Sequence, residues 1–221
     1  VLFAGRLIFP RTGKTSSARR SIFGAIVCIA ISIVPLTAVI SIADGMISGM
    51  TERIIGLSSL HLQAVIRRGT IPASSLDALK EYRATLCAVG GVTDAFMELS
   101  ADALAAGKRY RTGVAVRAVE PDVFTRNKYF QKFIKVTDGD IADFAASGNT
   151  AAIGEKAASL LSVKAGDTVR LITVRRLPSG AASPCVTPFK VSAIVSSGYQ
   201  ELDALWFFIP IETGFSVLSS D

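Results

Sequence analysis

His61 is the only histidine in the 221 residues. A Ser-His-Asp triad would have to be assembled around it, and no G-x-S-x-G turn is there to present a serine. It sits in a run where Leu60, Leu62, Ala64 and Ile66 alternate with His61, Gln63 and Val65, a pattern that predicts a strand and gives the histidine a surface or cross-strand place. One histidine and three scattered cysteines do not supply the ligand spacing of a zinc centre. Asp138, Asp140 and Asp143 flank Gly139 and read as a solvated turn rather than a calcium loop. Two stretches imitate phosphate loops. Gly13-Lys14-Thr15-Ser16 ends like one, but Ile8 stands where the first glycine is required and no strand leads in. Gly154-Glu155-Lys156 lacks the hydroxyl that would hold magnesium. The expectation is a chain with no catalytic, cofactor-binding or metal-binding residues of its own.

Such a chain has to be understood through its elements, and the first of these is apolar. Ser21 to Ala43 is 23 residues without a charge, 12 of them Ile, Val, Leu or Phe. At about 1.5 Å per residue they reach roughly 35 Å, against a bilayer core of about 30 Å, so residues 21–43 are predicted to be a transmembrane helix. Pro35 is tolerable in such a span. Arg6, Arg11, Lys14, Arg19 and Arg20 precede it without any acid, whereas Arg53 is the only Lys or Arg in the 20 residues after it. The positive-inside rule therefore makes residues 1–20 a cytoplasmic basic segment and exports everything from Asp44 onward. The net charge of +6 resides largely in that segment: beyond it, 19 basic groups face 18 acidic ones. The high pI thus reports topology and lipid contact, and excludes a nucleic-acid surface. Cys87 and Cys185 would both be exported, either paired or as two small buried hydrophobes.

After the span, Met46, Met50, Ile54 and Leu57 recur at helical spacing and predict a stalk helix over residues 44–58. Met46, Ile47, Met50 and Ile54 form a candidate surface for lipid, cargo or partner helices, methionine being adaptable in shape. Gly45 and Gly49 are a candidate helix-packing pair. The remainder, residues 59–221, reads as mixed α+β. Ser74 and Asp77 start a helix closed by Gly90-Gly91. Val92–Leu99 and Tyr110–Val119 are predicted strands, the second with Val114, Val116 and Ala118 on one face and Arg111 and Arg117 on the other. Helical turns over Pro121–Ile134 direct Phe124, Phe130 and Phe133 inward. A strand at Ala151–Ile153, a helix at Glu155–Leu161, a Gly166-Asp167 turn and a strand at Thr168–Val174 follow. Leu177–Pro188 reads as a loop, Phe189–Val195 and Leu205–Ile209 as strands, and Ile211–Leu218 as a helix.

Three stretches carry a family resemblance. Ser41 to Ile47 with Glu52 to Leu62 resembles the segment after the first membrane helix of lipoprotein-releasing ABC permeases. Ile153-Gly154-Glu155-Lys156-Ala157, running on through Leu161 and Val163 to Gly166-Asp167-Thr168-Val169, resembles a signature of the same family. Ser197 to Asp203, then Phe207 to Ile211, resembles its closing strand pair. The chain is thereby similar to the FtsX/MacB/Lol permeases with a MacB-like periplasmic core domain, nearest to the lipoprotein-releasing LolC/LolE-like branch. The resemblance implies a bacterial inner-membrane protein, noncatalytic itself, that works with a cytoplasmic ABC ATPase binding ATP and magnesium. It also implies a second permease subunit, lipoprotein cargo, contact with membrane lipids and three further membrane helices, so the chain reads as part of a longer protein. The same resemblance places a carrier-recruiting hook in the hairpin matching Val174–Phe189, which is short here, with Arg175 and Arg176 at its base. Two rivals share the fold: a MacB-like efflux permease, which would carry an ATPase domain ahead of the span, and an FtsX-like regulator of a cell-wall hydrolase. A membrane-anchored enzyme is the third, disfavoured by the missing nucleophile and base.

Overall fold

The uncharged run lies inside one helix, α1 (Ser17–Ile54), in the computed structural model, which describes residues 17–65, 76–145, 148–176 and 182–218. The basic residues from Arg6 to Lys14 lie outside the described residues. At 38 residues α1 is about 57 Å long. It is long and apolar enough to cross a membrane. From Phe23 onward its isoleucines, valines and Leu36 are exposed all the way round, a distribution suited to lipid rather than to a one-sided protein core. Ser32 Oγ donates to the Cys28 carbonyl and Thr37 Oγ1 to those of Ile33 and Val34, so both hydroxyls are satisfied inside the helix that Pro35 interrupts.

By its contacts the chain divides at Ile55/Gly56 into two units, the second being residues 56–221. A π-helical turn, Ile55–Ser59, follows α1, and Leu60 ends it in the left-handed region with φ of 55°. The predicted strand from Leu60 does not form within the described residues. Leu60 turns the chain, and residues 61–65 run on without joining the ladder. Arg67-Arg68-Gly69 and Ser74 lie outside the described residues. Helix α2 (Leu76–Cys87) comes next, as expected.

Among the described residues seven strands form one sheet: β1 (Glu98–Ala106), β2 (Arg111–Val119), β3 (Lys135–Gly139), β4 (Thr150–Gly154), β5 (Thr168–Arg176), β6 (Ala182–Ser196) and β7 (Trp206–Pro210). The ladder runs β3-β6-β4-β7-β2-β1-β5 and β5 pairs back onto β6, so six strands close a ring with β3 added outside it. β2 with β7 and β4 with β6 are parallel, and the other pairs antiparallel. Helices α3 (Val123–Arg126), α4 (Lys128–Phe133) and α5 (Ala142–Ala145) cover one face of the central strands. α6 (Glu155–Leu161), α7 (Gln200–Leu205) and α8 (Ile211–Leu218) complete the fold.

Strand alternation sorts the core in two. Phe207, Ile209, Ile153, Val116 and Phe189 join Ala157 and Leu161 of α6 on one side. Phe208, Trp206, Val119 and Ala152 join Phe124, Phe130, Phe144 and Leu57 on the other. Phe208 meets Phe124, Phe130 and Trp206 edge to face at 5.3–6.1 Å.

Several expectations are corrected. β1 begins at Glu98, not Val92, because the Phe96-Met97 stretch before it is held by Glu120 and Arg126 side chains rather than by a ladder. Asp138-Gly139 ends strand β3 instead of making a free turn, the φ of +79° at Gly139 accompanying a register shift against β6. The loop expected through Pro188 is already strand from Ala182. Pro184 and Pro188 are accommodated because that half of β6 pairs only with β5 among the described residues, leaving its other edge free. The closing pair of strands contains helix α7 between them. Cys87 and Cys185 are unpaired thiols, and Cys87 is exposed at the end of α2 rather than buried.

Candidate functional site

On α1 the predicted surface residues fall into neighbouring stripes. Met46, Met50 and Ile54 follow one another at four-residue spacing, Ile47 lies beside them, and Gly45 and Gly49 form the adjoining stripe. Met46, Ile47 and Ile54 are exposed and Met50 is half-buried. A Cβ at Gly45 or Gly49 would meet nothing within 4 Å. These residues thus present an apolar surface with a shallow backbone beside it, a shape that admits acyl chains or a closely packed helix.

The stretch after α1 is anchored to the sheet through Leu57, which helical spacing marks, and through Gly56, Tyr129 and Arg117, to which sequence reading assigned no such role. Leu57 is 1 % exposed among the aromatic cluster. Gly56 lies under the ring of Tyr129, so close that a Cβ would overlap it. Tyr129 is placed by Asn127, whose side chain caps α4 through the Tyr129 and Phe130 amides, and its hydroxyl lies 3.3 Å from His61 Nε2. Arg117 completes the arrangement. β2 puts it beside Phe208 in register, on the aromatic face, with its guanidinium 5.5 Å from that ring and 6.0 Å from Phe130. Its Nη1 donates to the Leu57 carbonyl at 2.6 Å and its Nη2 to that of Ser58 at 3.4 Å. Its Nε and Nη2 also donate to the two carboxylate oxygens of Glu98, at 2.8 and 2.6 Å. A guanidinium fits this role because its planar fork grips a carboxylate with two bonds and keeps donors for helix-end carbonyls. Its positive charge also complements the negative end of the helix dipole.

Other charges brace the sheet's flank. Arg83 of α2 pairs with Glu120, whose second oxygen accepts from the Met97 amide. Arg126 donates to Asp122 and Asp94 and lies over Phe96; the hydrogen bond it makes to Asp122, with Asp94 helping, holds its pKa above the ordinary arginine value. Asp167 accepts from Lys108 Nζ and from the Lys164 amide, which together hold its carboxyl below the usual range.

The imitation motifs resolve into local structure. Asp138 accepts from the Gly139 and Ala165 amides and Asp140 from that of Ala142. Among the described residues no group of three or more His, Cys, Asp or Glu is arranged to hold a metal. Gly13 to Ser16 lies outside the described residues. Gly154 begins α6 and touches the backbone of Asp203, so two of the quoted signature stretches meet there. His61 is on no strand and pairs edge to face with Tyr129. The one signal that could have found the anchor was Arg117 itself, a charge on a strand whose neighbours in sequence are buried.

Comparison with known proteins supplies the family. Residues 22–220 match the family described as MacB-like periplasmic core domain. Among solved structures, the periplasmic region of MacB from Actinobacillus actinomycetemcomitans is 15 % identical with a TM-score of 0.42, over 64 % of this chain and 59 % of that one. The extracellular domain of the noncanonic ABC-type transporter YknZ from Gram-positive bacteria is 15 % identical with a TM-score of 0.44, over 63 % of this chain and 65 % of that one. The chain thus matches less than two thirds of the length of either. No curated protein sequence matches.

Proposed function

Because this chain belongs to the family of MacB-like periplasmic core domains, we propose that it is a permease subunit of an ABC transporter that draws lipoproteins from the outer leaflet of the bacterial inner membrane. In this reading α1 crosses the membrane with its N-terminus in the cytoplasm, and residues 59–221 lie outside it. A separate cytoplasmic ATPase binds ATP and magnesium, and a second permease subunit completes the pair. This chain contributes no catalytic group; it converts movement of the helix into work on the cargo.

The observation that carries the reading is the apolar face of α1 beyond Asp44, where Met46, Ile47 and Ile54 stay exposed. Withdrawing a lipid anchor costs about 0.8 kcal/mol per CH₂, so each long acyl chain demands on the order of 10 kcal/mol unless an apolar surface receives it. Met46, Ile47, Met50 and Ile54 are suited to receive it, and Gly45 and Gly49 to seat the second permease. Purification of the full-length protein from native membranes in mild detergent, with mass spectrometry of what accompanies it, tests this. A small ABC ATPase and acylated proteins are expected. An ATPase with a cell-wall hydrolase would assign the chain to the FtsX-like regulators instead, and a preparation without any ATPase would end the transporter reading.

A further inference from the structure

The turn that follows α1 is held by two side chains from different elements, and they differ in kind. Tyr129 packs on Gly56 and meets His61, whereas Arg117 bonds the carbonyls of Leu57 and Ser58. Those carbonyls belong to the π-helical turn, and π-turns recur at functional sites. Leu60 then reverses the backbone at a φ that a leucine adopts only under constraint from its surroundings. Arg117 is itself fixed on three sides: by Glu98 diagonally across the β1–β2 pair, by the Phe208 ring in register on β7, and by Phe130 of α4. Its side chain is 11 % exposed, and the bond to the Leu57 carbonyl is the part-buried one of its four. A cation braced in this manner does more than fill space. It ties the turn to two strands of the ring and to the aromatic cluster at once.

From this we infer that Arg117, braced by Glu98, is the positioning residue that makes the turn Ile55–Ser59 and the sheet move together, so that displacement of α1 reaches β1 and β2. The inference rests on the transporter reading and names the residue through which its stroke would pass. Without the guanidinium, the Leu57 and Ser58 carbonyls turn to water, and the stretch from Ile55 to Leu60 becomes a swivel that absorbs the displacement.

The test uses the full-length permease with its ATPase in lipid nanodiscs, comparing amide exchange in the nucleotide-free and vanadate-trapped states. Arg117→Met keeps the aliphatic packing over Phe208 and removes the donors. In the wild type, trapping is expected to change exchange both in α1 and in residues 98–119. In Arg117→Met the change in α1 persists, that in residues 98–119 disappears, and exchange at residues 56–60 rises at least tenfold in both states. Arg117→Lys, which retains charge and one direction of donation, restores part of the sheet response. Glu98→Gln leaves Arg117 in place and weakens its brace; it is expected to lose an intermediate share, and it decides the matter if Arg117→Met fails to assemble. A sheet response of wild-type size in Arg117→Met, or in Glu98→Gln where that variant decides, overturns the inference while leaving the transporter reading standing. A wild-type complex silent in both α1 and the sheet overturns the transporter reading and this inference with it.

Discussion

Gly154 illustrates how much one missing methyl group can fix. Its φ of −62° is open to any residue, so backbone freedom is not the reason for glycine there. The reason is the Asp203 backbone, which a Cβ would strike. Asp203 cannot retreat, because its buried carboxylate accepts from the Ser197 amide and from the hydroxyls of Ser196 and Ser197 at 2.7–2.9 Å. Gly154→Ala should therefore cost about 1–3 kcal/mol, read as a lower urea midpoint at unchanged slope. Asp167 makes a prediction with a sign. Its carboxyl titrates below the usual range in the folded chain, so its contribution is complete above that range and is lost as pH falls through the lowered value. The wild type should be more stable than Asp167→Asn at neutral pH, and the two melting curves should converge as the solution is acidified below the carboxylate range. Sequence reading found neither role, although it had quoted Gly154 and Asp203 as parts of two separate motifs. Their contact is set by the crossing of α6 and α7, which no local pattern encodes.

Among elements, legibility followed pattern strength. Helix α6 and helix α8 have the bounds that were expected, because Gly154-Glu155 and Pro210-Ile211 each mark a start and the apolar spacing continues cleanly after it. β2 and β5 were readable from alternation. The run from Leu60 alternates as well, yet alternation describes only one strand's faces, and a strand also requires a neighbour with a free edge. β6 was obscured for the converse reason: Pro184 and Pro188 advertise a loop, but their missing amides fall where pairing does not need them. Helix α2 has no buried residue, and the Arg83–Glu120 pair ties it to the end of β2. Arg83→Met should loosen it locally by about 1.5 kcal/mol, a roughly tenfold rise in amide exchange over residues 76–87, while the melting temperature of the sheet changes little.

On the scale of the whole molecule, charge and apolarity are segregated along the chain. Five of the cations precede the uncharged run Ser21–Ala43, and the residues beyond it are nearly balanced. That arrangement orients a helix in a bilayer without giving the exported part a field that would bind polyanions. The ring of strands adds a constraint on the order of events. β7 lies between β4 and β2, at the centre of the ladder, yet among the described residues Trp206–Pro210 is the last strand in chain order. As the chain is made from its N-terminus, β2 and β4 therefore emerge with facing edges open and with Val114, Val116, Ala152 and Ile153 uncovered. The ring cannot close until Trp206–Pro210 is in place. Its closure thus waits on contacts distant in sequence, and until then the open edges of β2 and β4 are exposed to edge-to-edge misassociation.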